Sequence, residues 1–343
     1  MNSNFDLINE AIKSNNIIEI AKILNVSAGT INRWILLKNV PSSYEFELLK
    51  LLNKDIDYSL YSSKVKDQFF TPLRTSHYCF EVFKKLMISL GEDINNYTFI
   101  EPSAGDGSFM SVLPKNSLAL DIEPQNKNIK KQDYLSWVPP NKDKYIIFGN
   151  PPFGLRGHLA LKFMNHSTKF ADFICFILPP LFESDGKGSP RKRVKDFNLI
   201  HSEKLDSKFY EPNKSEVTIN TIFQVWSKNH NNEIYTLEHT KNTDISIYSL
   251  SNGDTASSKR NIKMIEKCDI YLPSTCFGKK NMTYYTKFNE LPNKRGYGLV
   301  FNKNKNILID KVKKVDWTQI AFLSTNSALN LRTSQIVNIL QKV

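Results

Sequence analysis

The sequence is short of paired cysteines, of metal-ligand motifs, of long apolar runs and of a glycine-rich dinucleotide fingerprint, and each shortage removes a class of function. Its four cysteines (Cys79, Cys175, Cys268, Cys276) are scattered without a C-x-x-C pair, and its six histidines form no H-E-x-x-H. The thiols are therefore read as reduced and no metal is expected. No apolar stretch approaches the ~18 residues a membrane span needs. The start MNSNFDLINE lacks a basic region followed by an apolar one, so a cytoplasmic setting without a membrane partner is expected. What is present is ample: 343 residues, 41% of them hydrophobic, suffice for two or three domains with sizeable cores.

Positive charge is abundant but unevenly spread. Of the net +12, a balance of +11 falls between Thr255 and Val343, where sixteen Lys or Arg stand against five Asp or Glu. Such localisation fits a polyanionic partner, most simply nucleic acid, or else a solvated lysine-rich surface. Phe277, Tyr284, Tyr285, Tyr297 and Trp317 interleave these lysines, as in a nucleic-acid surface or a small core.

Residues 1–55 read as a separate helical domain. Ile17, Ile18, Ala21, Ile23 and Leu24 give an amphipathic helix; after Asn25-Val26, Ser27 is an N-cap for a second helix carrying Ile31, Trp34 and Ile35. Two helices joined so tightly resemble helix-turn-helix, with Thr30, Asn32 and Arg33 outward, a pattern shared by operator-binding and by purely structural or dimerising modules. Pro41-Ser42 is expected to start a third helix through Leu52. A linker follows at 56–66.

Gln68-Phe69-Phe70-Thr71-Pro72 leads into a helix through Leu90, with Thr71-Pro72 as its cap. A strand at Tyr97–Ile100 runs into Glu101-Pro102-Ser103-Ala104-Gly105-Asp106-Gly107-Ser108-Phe109, whose small residues allow a tight turn and close ligand approach at the start of a helix. A second short strand, Leu118–Leu120, ends in Asp121, twenty positions after Glu101, where a nucleoside-binding βαβ unit places the acid for ribose hydroxyls. The third glycine of a pyrophosphate site is missing and Glu101 would repel a diphosphate, so the acidic loop suits a cationic ligand. Further strands are expected at Tyr145–Phe148 and Phe173–Leu178.

The first of these two strands breaks abruptly into Asn150-Pro151-Pro152-Phe153. Open α/β sheets bind ligands at such ends. An amide acceptor, two prolyl carbonyls and an aromatic face there suit a planar amino-bearing ring; the alternative is an ordinary strand-to-loop turn.

QFFTP, EPSAGDGSF, DIEP, QDYL and NPPF occur in that order over about residues 68–180. In this the chain resembles S-adenosylmethionine-dependent N6-adenine DNA methyltransferases of the gamma arrangement. The resemblance implies an α/β, Rossmann-like catalytic core at 67–240, a mainly parallel sheet with an antiparallel edge. It also implies that the C-terminal basic segment at 255–343, read as a small α+β domain, is a target-recognition domain. Thr71, Glu101 and the Ala104-Gly105 backbone would hold the methionine end of the cofactor. Asp121 would take the ribose hydroxyls, Asp133 the adenine amino group, and Ile122 and Tyr134 would pack on the adenine ring. For individual residues the plainer alternatives stay open: Ile122 and Tyr134 as core, Asp133 as a turn cap. Asn150 and the Pro151 carbonyl would accept the hydrogens of the target amino group, with Pro152 in the same turn. Phe153, where the family often has Tyr, would stack on a flipped-out adenine. Phe209 or Tyr210 is the candidate second stacking aromatic.

Between Lys187 and Lys195 five basic residues (Lys187, Arg191, Lys192, Arg193, Lys195) stand without an acid. This stretch reads as a mobile loop, either a phosphate clamp or merely solvated. Val217–Trp226 is expected to hairpin with Ile234–Leu237, a boundary is expected at 241–258, short strands at Ile270–Leu272, Gly298–Phe301 and Ile307–Ile309, and a last amphipathic helix at Ser334–Lys342. The expected function is site-specific DNA adenine methylation in a restriction-modification or mobile-element setting, with duplex DNA as partner and a partner nuclease unreadable. RNA adenine methylation, protein-glutamine methylation and an inactive-core DNA-binding regulator are the alternatives.

Overall fold

The computed structural model describes residues 3–24, 26–184, 189–205, 208–235, 244–253, 258–324 and 327–341. Four helices open the chain: α1 (Asn4–Ser14), α2 (Ile17–Ile23), α3 (Ala28–Leu37) and α4 (Glu45–Leu51). Each of the first three starts at a side-chain cap that satisfies an otherwise orphaned N–H: Ser3 with Asp6 in a capping box, Asn16 with Glu19 N, Ser27 with Thr30 N. Leu7, Ile8, Ala11, Ile20, Ala21, Leu24, Ile31, Trp34 and Leu48 bury a common core. Ser27 caps as expected, and Ala21, Ile31 and Trp34 point inward. Ile18 is 74% exposed, because the helix phase turns Ile20 inward instead. Asn32 and Arg33 are exposed, whereas Thr30 is half-buried and its hydroxyl bonds Ser27 Oγ at 2.9 Å. Asn25, the expected turn, lies outside the described residues. The third expected helix begins as a 3-10 turn at Ser42–Tyr44 before α4.

A single turn, α5 (Ser63–Lys66), and the long α6 (Leu73–Ser89) lead into the central sheet. Its strands are β1 (Thr98–Glu101), β2 (Leu118–Asp121), β3 (Lys130–Lys131), β4 (Tyr145–Gly149), β5 (Phe173–Leu178), β6 (Asn198–Leu205) and, after a hairpin of β7 (Lys208–Tyr210) and β8 (Glu216–Thr218), β9 (Thr221–Ser227). Helix α7 (His158–Ser167) crosses between β4 and β5. The order is β3-β2-β1-β4-β5-β9-β6, with β1 to β5 parallel and β9 and β6 antiparallel at one edge. This is the α/β, Rossmann-like arrangement expected from the sequence. Strand neighbours run away from β1 in both directions, toward β2 and toward β4, so the topological switch point, where such sheets take ligands, is the crevice beyond the ends of β1 and β4.

Both faces of the sheet are covered, and successive residues alternate between them. Phe99, Ile146, Phe148, Phe173 and Cys175 pack against Phe80, Phe83 and Met87 of α6. Ile100, Ile147, Ile174, Phe176 and Leu178 pack against Ala160, Leu161, Phe163 and Met164 of α7. Phe83 meets Phe99, Phe148 and Phe173 edge-on, with centroids 5.7–6.4 Å apart.

Four sequence expectations fail here. Loop 105–112 is a run of turns and not a helix start. Strand β9 pairs with β5 and β6, while 233–235 is a 3-10 turn and residues 236 and 237 lie outside the described residues. The stretch 241–258, expected as a boundary, contains β10 (Ile245–Asn252), which belongs to a four-stranded antiparallel sheet with β11 (Lys259–Arg260), β12 (Ile270–Pro273) and, after the two-residue β13 (Thr275–Cys276), β14 (Arg295–Phe301). Helix α8 (Lys305–Lys314) replaces the strand expected at Ile307–Ile309, because Leu308 and Val312, four apart, reach the core together. After α9 (Trp317–Ile320), short strands β15 (Phe322–Leu323) and β16 (Leu329–Asn330) pair with each other and β16 with β13; α10 (Thr333–Gln341) ends the described chain, close to the expected final helix. Tyr297 and Trp317 belong to the core of this C-terminal unit, whereas Phe277 is 61% exposed. No helix among the described residues is long and apolar enough to cross a membrane.

Because Phe83 is fully buried against the rings of Phe99, Phe148 and Phe173, Phe83→Ala is expected to cost ~3–5 kcal/mol in denaturant unfolding. A loss below ~1 kcal/mol would mean that α6 does not seal this face.

Candidate functional site

Strand ends at the switch point carry the residues of interest: Glu101 closes β1, Asp121 closes β2 and Asn150 follows β4. A cavity of about 220 Å3 opens there, lined among others by Ser103, Gly105, Asp121, Ile122, Asp133, Tyr134, Asn150 and Pro152. A second cavity of about 20 Å3 is lined by Asp67, Phe69, Asn150, Pro151, Phe153, Phe209, Ile219 and Thr221. Asn150 is common to both.

The Asn150 amide is held from one side. Its Nδ2 donates to Thr71 Oγ1 at 3.2 Å and to the Phe69 carbonyl at 3.4 Å. Since a carbonyl only accepts, the NH2 group must face Phe69. Oδ1 is shielded from solvent and has no hydrogen-bond partner among the described residues. Ser103 Oγ donates to the Asn150 backbone carbonyl at 3.1 Å. Thr71, expected both to cap α6 and to touch the methionine end, is buried and serves Asn150 instead; α6 has no side-chain cap.

The first loop is tight and acidic. Gly105 has φ +54°, and a Cβ there would sit 2.9 Å from two ring atoms of Phe70, so only glycine fits under that ring. Gly105 N–H and Glu123 N–H donate to the two oxygens of Asp121 at 2.8 and 2.7 Å. Glu101 is 2% exposed, and its Oε2 has no partner among the described residues. Burial first, then the neighbouring charges of Asp121 and Asp106, raise the Glu101 carboxyl well above its ordinary range, against the opposing Met110 backbone hydrogen bond. Burial likewise raises Asp121. Asp106 accepts from Tyr210 Oη at 2.5 Å and from Ser108. Of these three carboxylates only Asp121 lines the large cavity; Glu101 lies buried near it with one orphaned oxygen, Asp106 is turned to Tyr210 and Ser108, and an acidic neighbourhood of this kind suits a cationic ligand.

The other expected cofactor residues divide. Ile122 lines the cavity at 37% exposure. Tyr134 touches it but is 1% exposed, its hydroxyl 2.7 Å from Ser167 Oγ and its ring stacked on Phe163, so it is chiefly core. Asp133 lines the cavity with both oxygens engaged: Oδ1 caps Leu135 N and Oδ2 lies 3.0 Å from Lys50 Nζ. Ala104 is buried behind the wall.

Among the turn residues, Pro151 and Phe153 face the small cavity, and Phe209, not Tyr210, lies across it. Sequence reasoning missed Asp67, whose Oδ2 accepts from Gly154 N at 2.7 Å and which burial raises in pKa. Its left-handed φ of 54° is the conformation Asp tolerates best after Asn and Gly, a faint signal in the sequence. Also missed were Phe46, Lys50, Tyr58 and Lys162, which complete the large cavity.

The basic stretch follows β5, on the sheet edge that carries Asn150. Lys187 lies outside the described residues. Arg191–Arg193 form a 3-10 turn in which Arg191 donates to the carbonyls of Glu183 and Tyr235, so this guanidinium braces the loop. Lys192 and Lys195 are exposed, and none of Arg191, Lys192, Arg193 and Lys195 lines either cavity.

No protein-family profile matches the chain, and no curated protein matches its sequence. Among solved structures it is similar to a candidate RNA methyltransferase from Pyrococcus horikoshii, at 16% identity over 47% of this chain and 86% of that one, TM-score 0.35. It is also similar to a chain of a type I restriction-modification system (12% identity, 67% and 63% covered, TM-score 0.35) and to a candidate hemolysin from Lactococcus lactis (10%, 44% and 88%, TM-score 0.30). Likeness of this degree carries no argument about chemistry.

Since Glu101 and Asp121 hold protons more tightly in the folded chain than in the unfolded one, the ligand-free protein loses stability as pH rises from the ordinary carboxylate range through the raised values. Glu101→Gln is expected to stabilise the ligand-free chain by ~1 kcal/mol or more at pH 8 and far less at pH 4.5. Equal melting shifts at both pH values would show that this carboxyl is not the source.

Proposed function

We propose that this chain transfers a methyl group from S-adenosylmethionine to the exocyclic N6 of an adenine flipped out of duplex DNA. The observation that carries the reading is the Asn150 amide, which commits its hydrogens to Thr71 and Phe69 and keeps a buried, unpartnered oxygen on the wall between the two cavities. The acidic large cavity supports the choice of a cationic cofactor, with Asp121 for the ribose hydroxyls and Glu101 near the methionine end. When bound, the cofactor supplies an electrophilic methyl group on a sulfonium.

The residues of this chain then have two tasks. Adenine's amino nitrogen is a weak nucleophile because its lone pair is delocalised into the ring. Asn150 Oδ1 and the Pro151 carbonyl accept its two hydrogens, draw them out of the ring plane and localise the lone pair toward the cofactor cavity. With both hydrogens held by these acceptors, this chain would need no strong base before transfer, and the proton surplus to the nitrogen afterwards would pass to solvent. Phe153 and Phe209 flank the base. Orientation and fixed dipoles provide most of the acceleration. At about 20 Å3 the small cavity admits no base as it stands, so the loop after Phe153, with positive φ at Gly154, Arg156 and Gly157, opens to admit it. A basic C-terminal unit with Lys305, Lys311, Lys313 and Lys314 on α8 supports a phosphate backbone as partner.

Labelled cofactor offered separately to duplex DNA, RNA and a peptide mixture is expected to mark DNA at adenine; label in peptide alone overturns the reading. Asn150→Ala is expected to keep cofactor binding within about threefold and to lower transfer by ~10²–10³-fold, the scale for losing one fixed polar partner of a reacting group. Lys192→Gln with Lys195→Gln is expected to flatten the salt dependence of DNA binding by ~0.9 in slope for each phosphate contact removed, and an unchanged slope would assign both lysines to solvent.

A further inference from the structure

Two ion pairs and a carboxylate–imidazole contact tie residues 47–66 to the loops that carry the candidate site residues. Lys50 Nζ lies 3.0 Å from Asp133 Oδ2, Glu47 Oε1 2.5 Å from His158 Nε2, and Lys66 Nζ 2.7 Å from Glu123 Oε2. Glu123 stands two residues beyond Asp121, and His158 five beyond Phe153. The Glu47–His158 side chains are only 12% and 7% exposed, so this pair is shielded from water and salt in a way a surface pair is not. From the same unit Phe46 and Tyr58, with ring centroids 5.5 Å apart, line the large cavity together with Ser43 and Lys50. A module that merely hung on a linker would have no reason to place two aromatic rings and a lysine in the wall of another unit's cavity.

We propose that the N-terminal helical unit, with the segment 56–66 that follows it, completes the cofactor site: Phe46 and Tyr58 supply apolar wall at its nucleoside end, and Lys50 is a positioning residue that fixes the Asp133 carboxylate for the amino group of the bound base. The inference rests on the methyl-transfer reading. It has a thermodynamic consequence. Cofactor binding and docking of the helical unit stabilise each other, and by reciprocity whatever draws this unit away from the core weakens the cofactor by the same factor.

The test uses the full chain and S-adenosylhomocysteine as probe. Calorimetric Kd is measured for the wild type, Phe46→Ala, Phe46→Tyr, Lys50→Met and Lys50→Arg, with Lys54→Met as control; Lys54 pairs with Glu10 within the helical unit and does not line the cavity. Phe46→Ala is expected to raise Kd about tenfold and Lys50→Met about threefold. Phe46→Tyr and Lys50→Arg are expected to restore most of the affinity, and Lys54→Met to change nothing. Hydrogen exchange on the unmodified chain provides a readout independent of any variant's folding: the probe is expected to slow exchange in α4. Tight wild-type binding with no protection of α4 and with unchanged affinity in Phe46→Ala overturns the inference and leaves methyl transfer standing. Failure of the wild type to bind the probe overturns the cofactor reading itself, and this inference with it.

Discussion

A one-sided hydrogen-bonded amide is the constraint on which the site depends. Asn150 can present a fixed acceptor only if its NH2 group has partners that cannot exchange roles, and the Phe69 carbonyl is such a partner. That carbonyl is in turn placed by a segment pinned at both ends. Asp67 accepts from Gly154 N on the loop beyond Asn150, and Phe70 exchanges backbone hydrogen bonds with Tyr210 of β7, its N donating at 2.8 Å and its carbonyl accepting at 3.1 Å. The orientation of one side chain after β4 thus rests on residues about eighty positions earlier and sixty later. Phe70 carries a second constraint, since its ring covers Gly105 and fixes the first loop's approach to the same crevice. Amide and acidic loop are therefore held in register by a single strap, residues 67–70, and not by the strands alone.

The strands and the switch point were legible because burial on both faces demands unbroken apolar runs, and Ile146 to Phe148 and Phe173 to Leu178 are such runs. The acids were legible for a similar reason: each ends a strand and interrupts its apolar pattern. What the sequence hid was decided by partners remote in the chain. Residues 105–112 look like a helix start, but Asp106 turns its carboxylate to Ser108 and to Tyr210, an Asx-type turn that competes with helical hydrogen bonding. Ile307 to Ile309 reads as a strand until Leu308 and Val312 are seen to share a buried face. Lys50, Glu47 and Lys66 are ordinary surface charges in a linear reading; their partners lie 83, 111 and 57 positions away, and no local pattern announces such pairs. Arg191 shows the reverse error. Its place in a basic run invited a phosphate, yet its planar fork found backbone carbonyls.

On the proposed reading, two fields of opposite sign have to coexist in one molecule, an acidic crevice for a cation and a basic surface for a polyanion. Fully ionised, Glu101, Asp106 and Asp121 would repel a phosphate backbone brought close to Asn150. Burial moderates the conflict. Desolvation and its acidic neighbours push the Glu101 carboxyl well above its ordinary range, so its charged form is disfavoured there. On that reading a cation held near Glu101 would reverse the balance, because an opposite charge nearby favours ionisation, and the two charges together would present little net charge to a phosphate backbone. On the proposed reading the positive charge of the ligand disappears with the methyl group. Glu101 would then again be a buried carboxylate with Oε2 unpartnered, the state whose cost raises its pKa, and a preference for the charged ligand over the neutral product would follow from that one desolvated oxygen.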